Sequence, residues 1–167
     1  MIKREDGGPI FYSQKRVGKN GIIFNAMKFR SMIPDAEKNT GAIWATENDP
    51  RVTRIGRILR ATAMDELPQL WNIFRGDMSF VGPRAERPEL VENFAQKITG
   101  YMKRFEVTPG LTGIAQVYGK YDTPPQHKLK YDLLYIKKKS FFLDMKLIAL
   151  SFWITFKGKW ESREKKF

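Results

Sequence analysis

The spacing of apolar and polar residues near the N-terminus predicts a pair of short strands. The segments Ile10–Gln14 and Ile22–Lys28 are rich in strand-forming side chains and flank Gly18, Asn20 and Gly21. Glycine and asparagine tolerate the positive φ angles that a tight turn requires. The pattern therefore predicts a β-hairpin at the start of the chain.

After residue 64 the spacing of apolar residues changes from that of a strand to that of a helix. Apolar residues spaced as one face of a helix follow Asp65 and Glu66, and Gly76 marks the end of that helix. Pro68 is compatible with the helix only in its first turn, where a missing N–H has no intrahelical partner. The pattern places the two acidic residues at a helix N-terminus, with Thr62 upstream at a spacing that permits capping.

The remaining elements follow from apolar runs and turn residues. The polar segment Ile33–Asn48 predicts a helical turn and then a mobile loop that orders on ligand binding. Downstream we predict a short buried strand over Phe80–Gly82, a turn over Pro83–Pro88, a helix over Pro88–Lys103, extended and turn structure over Val107–Tyr121, and helices from Thr123 to Lys139 and over Phe141–Phe156. Since helices and strands do not alternate regularly, the prediction is a compact α+β fold with one domain over residues 1–167.

Arginines recur at every third position between residues 51 and 60, namely Arg51, Arg54, Arg57 and Arg60. On a helix, residues at this spacing lie near one side, with each turned slightly from the one before it. They could face phosphates, or they could form a solvated charged face. Gly56 is expected to weaken such a helix.

Charge limits the function classes without choosing among them. The chain has 30 Lys or Arg, 18 Asp or Glu and a formal charge of +12, which favours phosphates, nucleic acid or anionic lipid as partners. There is no cysteine, so disulfides and thiolate metal sites are excluded. The only histidine, His127, has no accompanying serine or cysteine motif, and neither a Walker loop nor a dinucleotide fingerprint is present.

The apolar segment Phe141–Phe156 is followed by Lys157, Lys159 and Trp160, a composition typical of an amphipathic helix at a membrane interface. The alternative is a core helix of a soluble domain. No apolar run reaches the roughly 18 residues needed to cross a bilayer.

The acidic pair is the strongest candidate for chemistry. Side chains of adjacent helical residues diverge by about 100°, so Asp65 and Glu66 cannot face each other across a substrate as glycosidase carboxylates do. One of them could instead act as an ionised nucleophile and the other could hold a divalent cation. Both could also merely stabilise the helix start. Arg84 lies in a turn suited to a bidentate phosphate contact, or is an ordinary surface arginine.

Several runs, taken together, resemble the bacterial sugar transferases, the monotopic phosphoglycosyl transferases that begin polysaccharide assembly. The matching runs are QKRVGKNG and KFRSM within residues 9–32, DELPQLWN at 65–72, GDMSFVGPR at 76–84, PGLTGIAQV at 109–117, and KLKYDLLYI and LDMK within 128–146. They occur in order over nearly the whole chain. The run GPRAERPEL looks most like the long polysaccharide-initiating members.

The resemblance implies a two-step transfer with Mg²⁺ as cofactor. By this resemblance, Asp65 occupies the position of the family's nucleophile, and Glu66 occupies the position of the second residue of the family's acidic pair. Both are expected to contact the metal. The expected phosphate-binding residues are Lys28, Arg60, Arg84 and Lys120, although many relatives have arginine in place of Lys120. The implied substrates are a UDP-sugar and polyprenol phosphate.

The resemblance also implies a location at the cytoplasmic face of the inner membrane. The family's preceding hydrophobic helix is missing before Lys3, so the chain is expected to be a truncated domain. Nucleic acid is not an expected partner, because no known nucleic-acid-binding motif is present. A basic nucleic-acid module and a non-catalytic membrane-binding scaffold are the alternatives.

Overall fold

The structure, a computed structural model, describes residues 1–38, 41, 43, 46, 49–120, 122–157 and 160. It confirms the predicted α+β class. The helices are α1 (Ile2–Asp6), α2 (Arg54–Ala61), α3 (Gln69–Phe74), α4 (Pro88–Lys97), α5 (Ile114–Tyr118), α6 (Pro125–Lys138) and α7 (Phe141–Phe156). The strands are β1 (Phe11–Val17), β2 (Ile23–Phe29), β3 (Ser79–Val81) and β4 (Gly110–Thr112).

The N-terminal hairpin is confirmed, and its first strand is longer than predicted. Strands β1 and β2 pair antiparallel, with Phe11 opposite Phe29 and Val17 opposite Ile23. The turn between them has left-handed residues at Asn20 (φ 55°) and Gly21 (φ 80°). The prediction of a strand ending at residue 14 was wrong because Val17 is buried and keeps β1 paired to its end.

A second, two-stranded parallel sheet joins the centre of the chain. Ser79 in β3 lies opposite Gly110 in β4, and Val81 lies opposite Thr112. A Cβ atom on Gly110 would be only 2.0 Å from the backbone nitrogen of Gly82, so glycine is needed where these segments touch. The expectation of a fully buried strand was partly wrong, because Phe80 is half exposed.

Two predicted boundaries were wrong for local reasons. Helix α4 ends at Lys97 instead of Lys103, because Ile98 is extended (φ −124°, ψ 108°) and the left-handed Gly100 (φ 75°) then begins the 3₁₀ segment Tyr101–Glu106. Within the segment predicted as extended and turn structure, β4 is followed directly by α5. The glycines in that segment permit close backbone approach as well as turns.

Helix α2 forms despite its glycine. The Thr53 hydroxyl caps it by accepting a hydrogen bond from the Gly56 amide at 2.9 Å. A Cβ atom at residue 56 would lie 1.9 Å from the carbonyl oxygen of Ser31. The prediction that Gly56 merely weakens the helix was therefore incomplete, since it is the residue that lets α2 pack closely. Arg51 precedes the helix and pairs with Asp49.

Helix α7 packs on the domain along one side only. Leu147 and Ile154 are fully buried in an apolar cluster that also contains Val117. The exposed aromatic residues of the helix are Phe141, Phe142, Phe152, Trp153 and Phe156. The core-helix interpretation thus applies to one side of α7, and the interfacial interpretation fits the other. No helix in the described part of the chain is long and apolar enough to cross a membrane.

The segment Ile33–Asn48 begins as predicted with a turn over residues 34–38. Most of the predicted loop after that turn lies outside the described residues, as does Lys159.

Candidate active site

One large cleft collects the residues that the sequence singled out. Its volume is about 910 Å³, and Asp65 lies in its wall together with Lys28, Arg60, Arg84 and Lys120. Among the described residues, ten Lys or Arg and four Asp or Glu line this cleft. The excess of positive charge suits a ligand with several phosphate charges.

The acidic pair occupies a tight turn between α2 and α3. Residues Met64–Glu66 form one turn of 3₁₀ helix that begins after Ala63 (φ 53°), and Pro68 lies directly before α3. The predicted location near a helix start is confirmed, but the capping role of Thr62 was wrong. Its hydroxyl donates to the Ile58 carbonyl at 2.8 Å and so ends α2 instead.

Glu66 is a buried anchor for two cationic side chains. Lys28 Nζ donates to Glu66 Oε1 at 2.7 Å, Arg84 Nη1 donates to Oε2 at 3.2 Å, and Arg84 Nη2 donates to Oε1. Burial alone would raise the pKa of Glu66, but the charges of Arg84 and Lys28 outweigh it and hold this pKa well below its usual range. Glu66 is therefore ionised at neutral pH.

Asp65 differs from Glu66 in the direction it faces. Its carboxylate lines the cleft, and its Oδ2 lies 3.7 Å from Lys28 Nζ. Lys28 thus stands between the two carboxylates and contacts both. The two adjacent side chains diverge, as expected, so that one faces the cleft and the other binds the cations behind it.

Asn72 fixes the position of Lys28 relative to this turn. Its Oδ1 accepts a hydrogen bond from the Met27 amide at 3.0 Å, and its Nδ2 donates to the Asn25 carbonyl at 2.8 Å. Asn72 is buried on α3, immediately after the acidic turn. It clamps β2 to α3 on both sides of residue 26, which holds Lys28 within reach of Glu66.

Further cleft residues were not predicted as site residues. Arg16, Glu86, Arg87, Arg104 and Lys128 all line the same cleft. Arg16 and Lys128 fall within runs that carry the resemblance, but their sequence distance from residue 65 gave no sign of contact. Arg87 makes a bidentate ion pair with Glu37 at 2.7 and 2.8 Å, which ties the turn before α4 to the turn at residues 34–38.

The donors at the acidic turn fit Mg²⁺ in one arrangement. Within the described residues, no cluster of three or more His, Cys, Asp or Glu side chains could hold a metal ion. Mg²⁺ usually takes one or two carboxylates and completes its shell with phosphate oxygens and water. Asp65 lines the cleft and can supply such an oxygen. Both Glu66 oxygens accept hydrogen bonds from Arg84 and Lys28. Ligation by Asp65 and Glu66 stays a prediction.

Comparisons with known proteins show which family the chain is similar to. A family model described as "Bacterial sugar transferase" matches residues 1–158. The UDP-glucose:undecaprenyl-phosphate glucose-1-phosphate transferase of Klebsiella pneumoniae is 43% identical over 162 residues, which are 94% of this chain and 34% of that protein. The UDP-N-acetylgalactosamine-undecaprenyl-phosphate N-acetylgalactosaminephosphotransferase of Aeromonas hydrophila is 42% identical over 151 residues, 89% of this chain and 36% of that protein.

A shorter relative matches over most of its own length. The exopolysaccharide production protein ExoY of Rhizobium meliloti is 36% identical over 162 residues, 89% of this chain and 70% of that protein. The chain therefore spans about a third of the Klebsiella and Aeromonas relatives but a much larger share of this one.

Proposed function

Because the chain belongs to the bacterial sugar transferase family, we propose that it is the catalytic part of a phosphoglycosyl transferase. In this proposal it moves a sugar 1-phosphate from a UDP-sugar to polyprenol phosphate and so begins the assembly of a polysaccharide. The names of the Aeromonas and Klebsiella relatives specify a UDP-sugar donor and undecaprenyl phosphate as acceptor. Those relatives differ in the sugar, glucose in one and N-acetylgalactosamine in the other, so the sugar is left open here.

The observation that carries the proposal is the location of Asp65, whose side chain is 9% exposed and lies in the wall of a cleft lined by ten Lys or Arg and four Asp or Glu. A carboxylate repels the pyrophosphate of a UDP-sugar unless cations neutralise the ligand. Lys28, Arg60 and Arg84 lie in the same wall and supply that charge. The basic side chains gather in a cleft, which supports a small phosphate ligand over an extended nucleic acid.

The proposed reaction has two steps at one phosphorus atom. An Asp65 oxygen attacks the β-phosphorus, the bond from that phosphorus to the oxygen bridging the α-phosphate breaks, and UMP leaves. The phosphosugar is then held as an acyl phosphate on Asp65. A phosphate oxygen of polyprenol phosphate attacks the same phosphorus, and the Asp65 carboxylate is released.

Glu66 has a supporting role in this reaction. Because its oxygens are taken up by Arg84 and Lys28, it sets the positions of two cations that face the phosphates. A guanidinium held in this way offers a planar contact to phosphate oxygens without loss of side-chain freedom at each turnover. Mg²⁺, when bound at Asp65, would neutralise charge on the reacting pyrophosphate.

The exposed side of α7 supports attachment to a membrane surface. Phe142, Phe152 and Phe156 are 83%, 73% and 88% exposed, and Lys157 Nζ lies 4.4 Å from the centre of the Trp153 ring. Aromatic side chains beside lysine suit the headgroup region of an anionic bilayer. We propose that this membrane surface is the cytoplasmic face of the inner membrane, as the family resemblance implies, where a polyprenol phosphate would be within reach.

Release of UMP tests the proposed function. The chain is incubated with Mg²⁺, polyprenol phosphate in detergent and each of a panel of UDP-sugars, and UMP is measured. We expect release with at least one sugar by the unaltered chain and none by Asp65→Asn. If no UDP-sugar yields UMP above the level of the Asp65→Asn control, the proposed function is wrong.

A further inference from the structure

A buried ion pair lies directly behind Arg84. Arg104 Nη2 is 2.9 Å from Asp132 Oδ2, and the side chains of both residues are 3% exposed. Arg104 belongs to the 3₁₀ segment Tyr101–Glu106, and Asp132 belongs to α6. Arg104 Nη1 also donates to the Tyr101 hydroxyl at 2.5 Å. The pair therefore joins two separate elements at the wall of the cleft, which Arg104 lines.

Arg104 also contacts the backbone of the candidate site. Its Nη2 donates to the carbonyl oxygen of Arg84 at 3.0 Å, and the Gly110 amide donates to the neighbouring Pro83 carbonyl at 2.9 Å. The other end of Arg84, its guanidinium, binds Glu66. The position of Arg84 is thus fixed at the backbone by Arg104 and at the side chain by Glu66.

We propose that Asp132 and Arg104 are positioning residues that hold the Arg84 turn in register with the acidic turn. Without the Asp132 carboxylate, the Arg104 guanidinium would be a buried charge without its counter-ion and would have to move or draw in water. Its contact with the Arg84 carbonyl would loosen as a result. The inference rests on the proposed function only for the identity of the ligand that Arg84 binds.

Asp132 gives this arrangement a pH dependence. Burial raises the pKa of Asp132 to about 6 against the opposing charge of Arg104, while Glu86 from the Arg84 turn adds to the rise and Lys128 from α6 opposes it. The carboxylate is ionised above this pKa and protonated below it. The ion pair with Arg104 is therefore present near neutral pH and is lost as the pH falls through about 6.

Calorimetric titration with UDP-glucose tests the role directly. This probe lacks a terminal phosphate monoester, whose own second pKa of about 6 would mask the effect. For the unaltered chain we expect binding to weaken by about tenfold between about pH 7.5 and about pH 5. Asp132→Asn should bind weakly at both pH values, with the dependence on pH removed. A His127→Gln control, which lacks the chain's only imidazole, should keep the dependence of the unaltered chain.

Hydrogen exchange of the ligand-free chain provides a readout independent of substrate. Asp132→Asn should exchange faster over residues 82–88 while the β1–β2 hairpin is unchanged. The inference would be overturned if a folded Asp132→Asn exchanged residues 82–88 at the same rate as the unaltered chain. It would also be overturned if that variant bound UDP-glucose as tightly as the unaltered chain. If Asp132→Asn does not fold, the His127→Gln variant decides. The inference is then overturned if UDP-glucose binding by His127→Gln does not weaken as the pH falls. If the unaltered chain does not bind UDP-glucose, the titration is repeated with the other sugars of the UDP-sugar panel. Failure to bind any of them would contradict the proposed function, and hydrogen exchange would still decide the positioning role.

Discussion

Glu66 illustrates at the residue scale how burial and charge combine at this site. Its carboxylate is almost entirely enclosed by protein, yet it stays ionised because Arg84 and Lys28 both contact it. Removing one member of a buried ion pair usually destabilises a protein more than the pair itself contributes, because it leaves an uncompensated charge. Glu66 therefore affects both the stability of the protein and the placement of Lys28 and Arg84, which we propose to bind phosphate.

We predict that Glu66→Gln lowers the free energy of unfolding by about 3 kcal/mol at neutral pH. Since the pKa of Glu66 is lower in the folded protein than in the unfolded chain, its contribution is present above the ordinary glutamate value of about 4.3 and is lost as the pH falls below it. Urea unfolding of both proteins across this pH range measures the difference.

The matched control is Glu89→Gln, because the Glu89 side chain is 67% exposed. Its effect should stay within about 0.5 kcal/mol at every pH. A difference between the unaltered protein and Glu66→Gln that is the same at about pH 3 as at neutral pH would contradict the ion-pair explanation.

Among the elements, α2 is a helix in which tertiary packing reverses the usual effect of replacing glycine with alanine. Alanine in place of a helical glycine usually stabilises a helix by roughly 1 kcal/mol. At residue 56 the added Cβ would meet the Ser31 carbonyl oxygen at 1.9 Å. We predict that Gly56→Ala instead destabilises the protein by about 1–3 kcal/mol, as overpacking does. Thermal unfolding of Gly56→Ala measures the change in stability, and Arg57→Ala, at an exposed position on the same helix, is the control. A Gly56→Ala variant more stable than the unaltered protein would contradict the close packing of α2 on Ser31.

Helix α7 gives a prediction about membrane binding. Phe152→Asp adds a negative charge on the exposed side and should reduce co-sedimentation with anionic liposomes severalfold without loss of stability. Gln126→Asp adds the same charge at an exposed site on α6 and should have little effect. Equal binding by Phe152→Asp and the unaltered chain would exclude this side of α7 as the contact.

The sequence predicted those elements that carry local signals. The hairpin has its turn glycines, and the acidic turn has Pro68 and a helical run after it. The predictions of element boundaries failed where the conformation of a residue depends on contact with a segment that is distant in sequence. Gly110 was predicted only as part of an extended and turn segment, and its close contact with Gly82 was not foreseen. The end of α4 at Lys97 was missed inside an otherwise helical pattern.

The candidate site was predictable to a similar extent. The family resemblance selected Asp65, Glu66 and four basic residues, and the structure gathers the basic residues and Asp65 in one cleft. It did not reveal that Glu66 holds Lys28 and Arg84, because residues 38 and 18 positions away meet it only in the folded chain. Nor did it single out Arg104 and Asp132, whose role depends on contacts at the wall of the cleft.

Over the whole molecule, the fold brings separate segments to one cleft. Strand β2 supplies Lys28, the end of α2 supplies Arg60, the turn before α4 supplies Arg84, and the segment after α5 supplies Lys120. Glu66 holds both Lys28 and Arg84, although these two residues belong to different elements, so no single element forms the cleft. The central claim is that this arrangement serves one group, the carboxylate of Asp65.

Intact-protein mass measurement tests that claim most directly. The chain is mixed with Mg²⁺ and the UDP-sugar panel in the absence of lipid acceptor, and its mass is recorded. Our account predicts an added mass equal to one sugar phosphate, located on Asp65, absent in Asp65→Asn and lost when polyprenol phosphate is added. Turnover by Asp65→Asn with a competent UDP-sugar and acceptor would contradict the account, and direct transfer from donor to acceptor would then replace it.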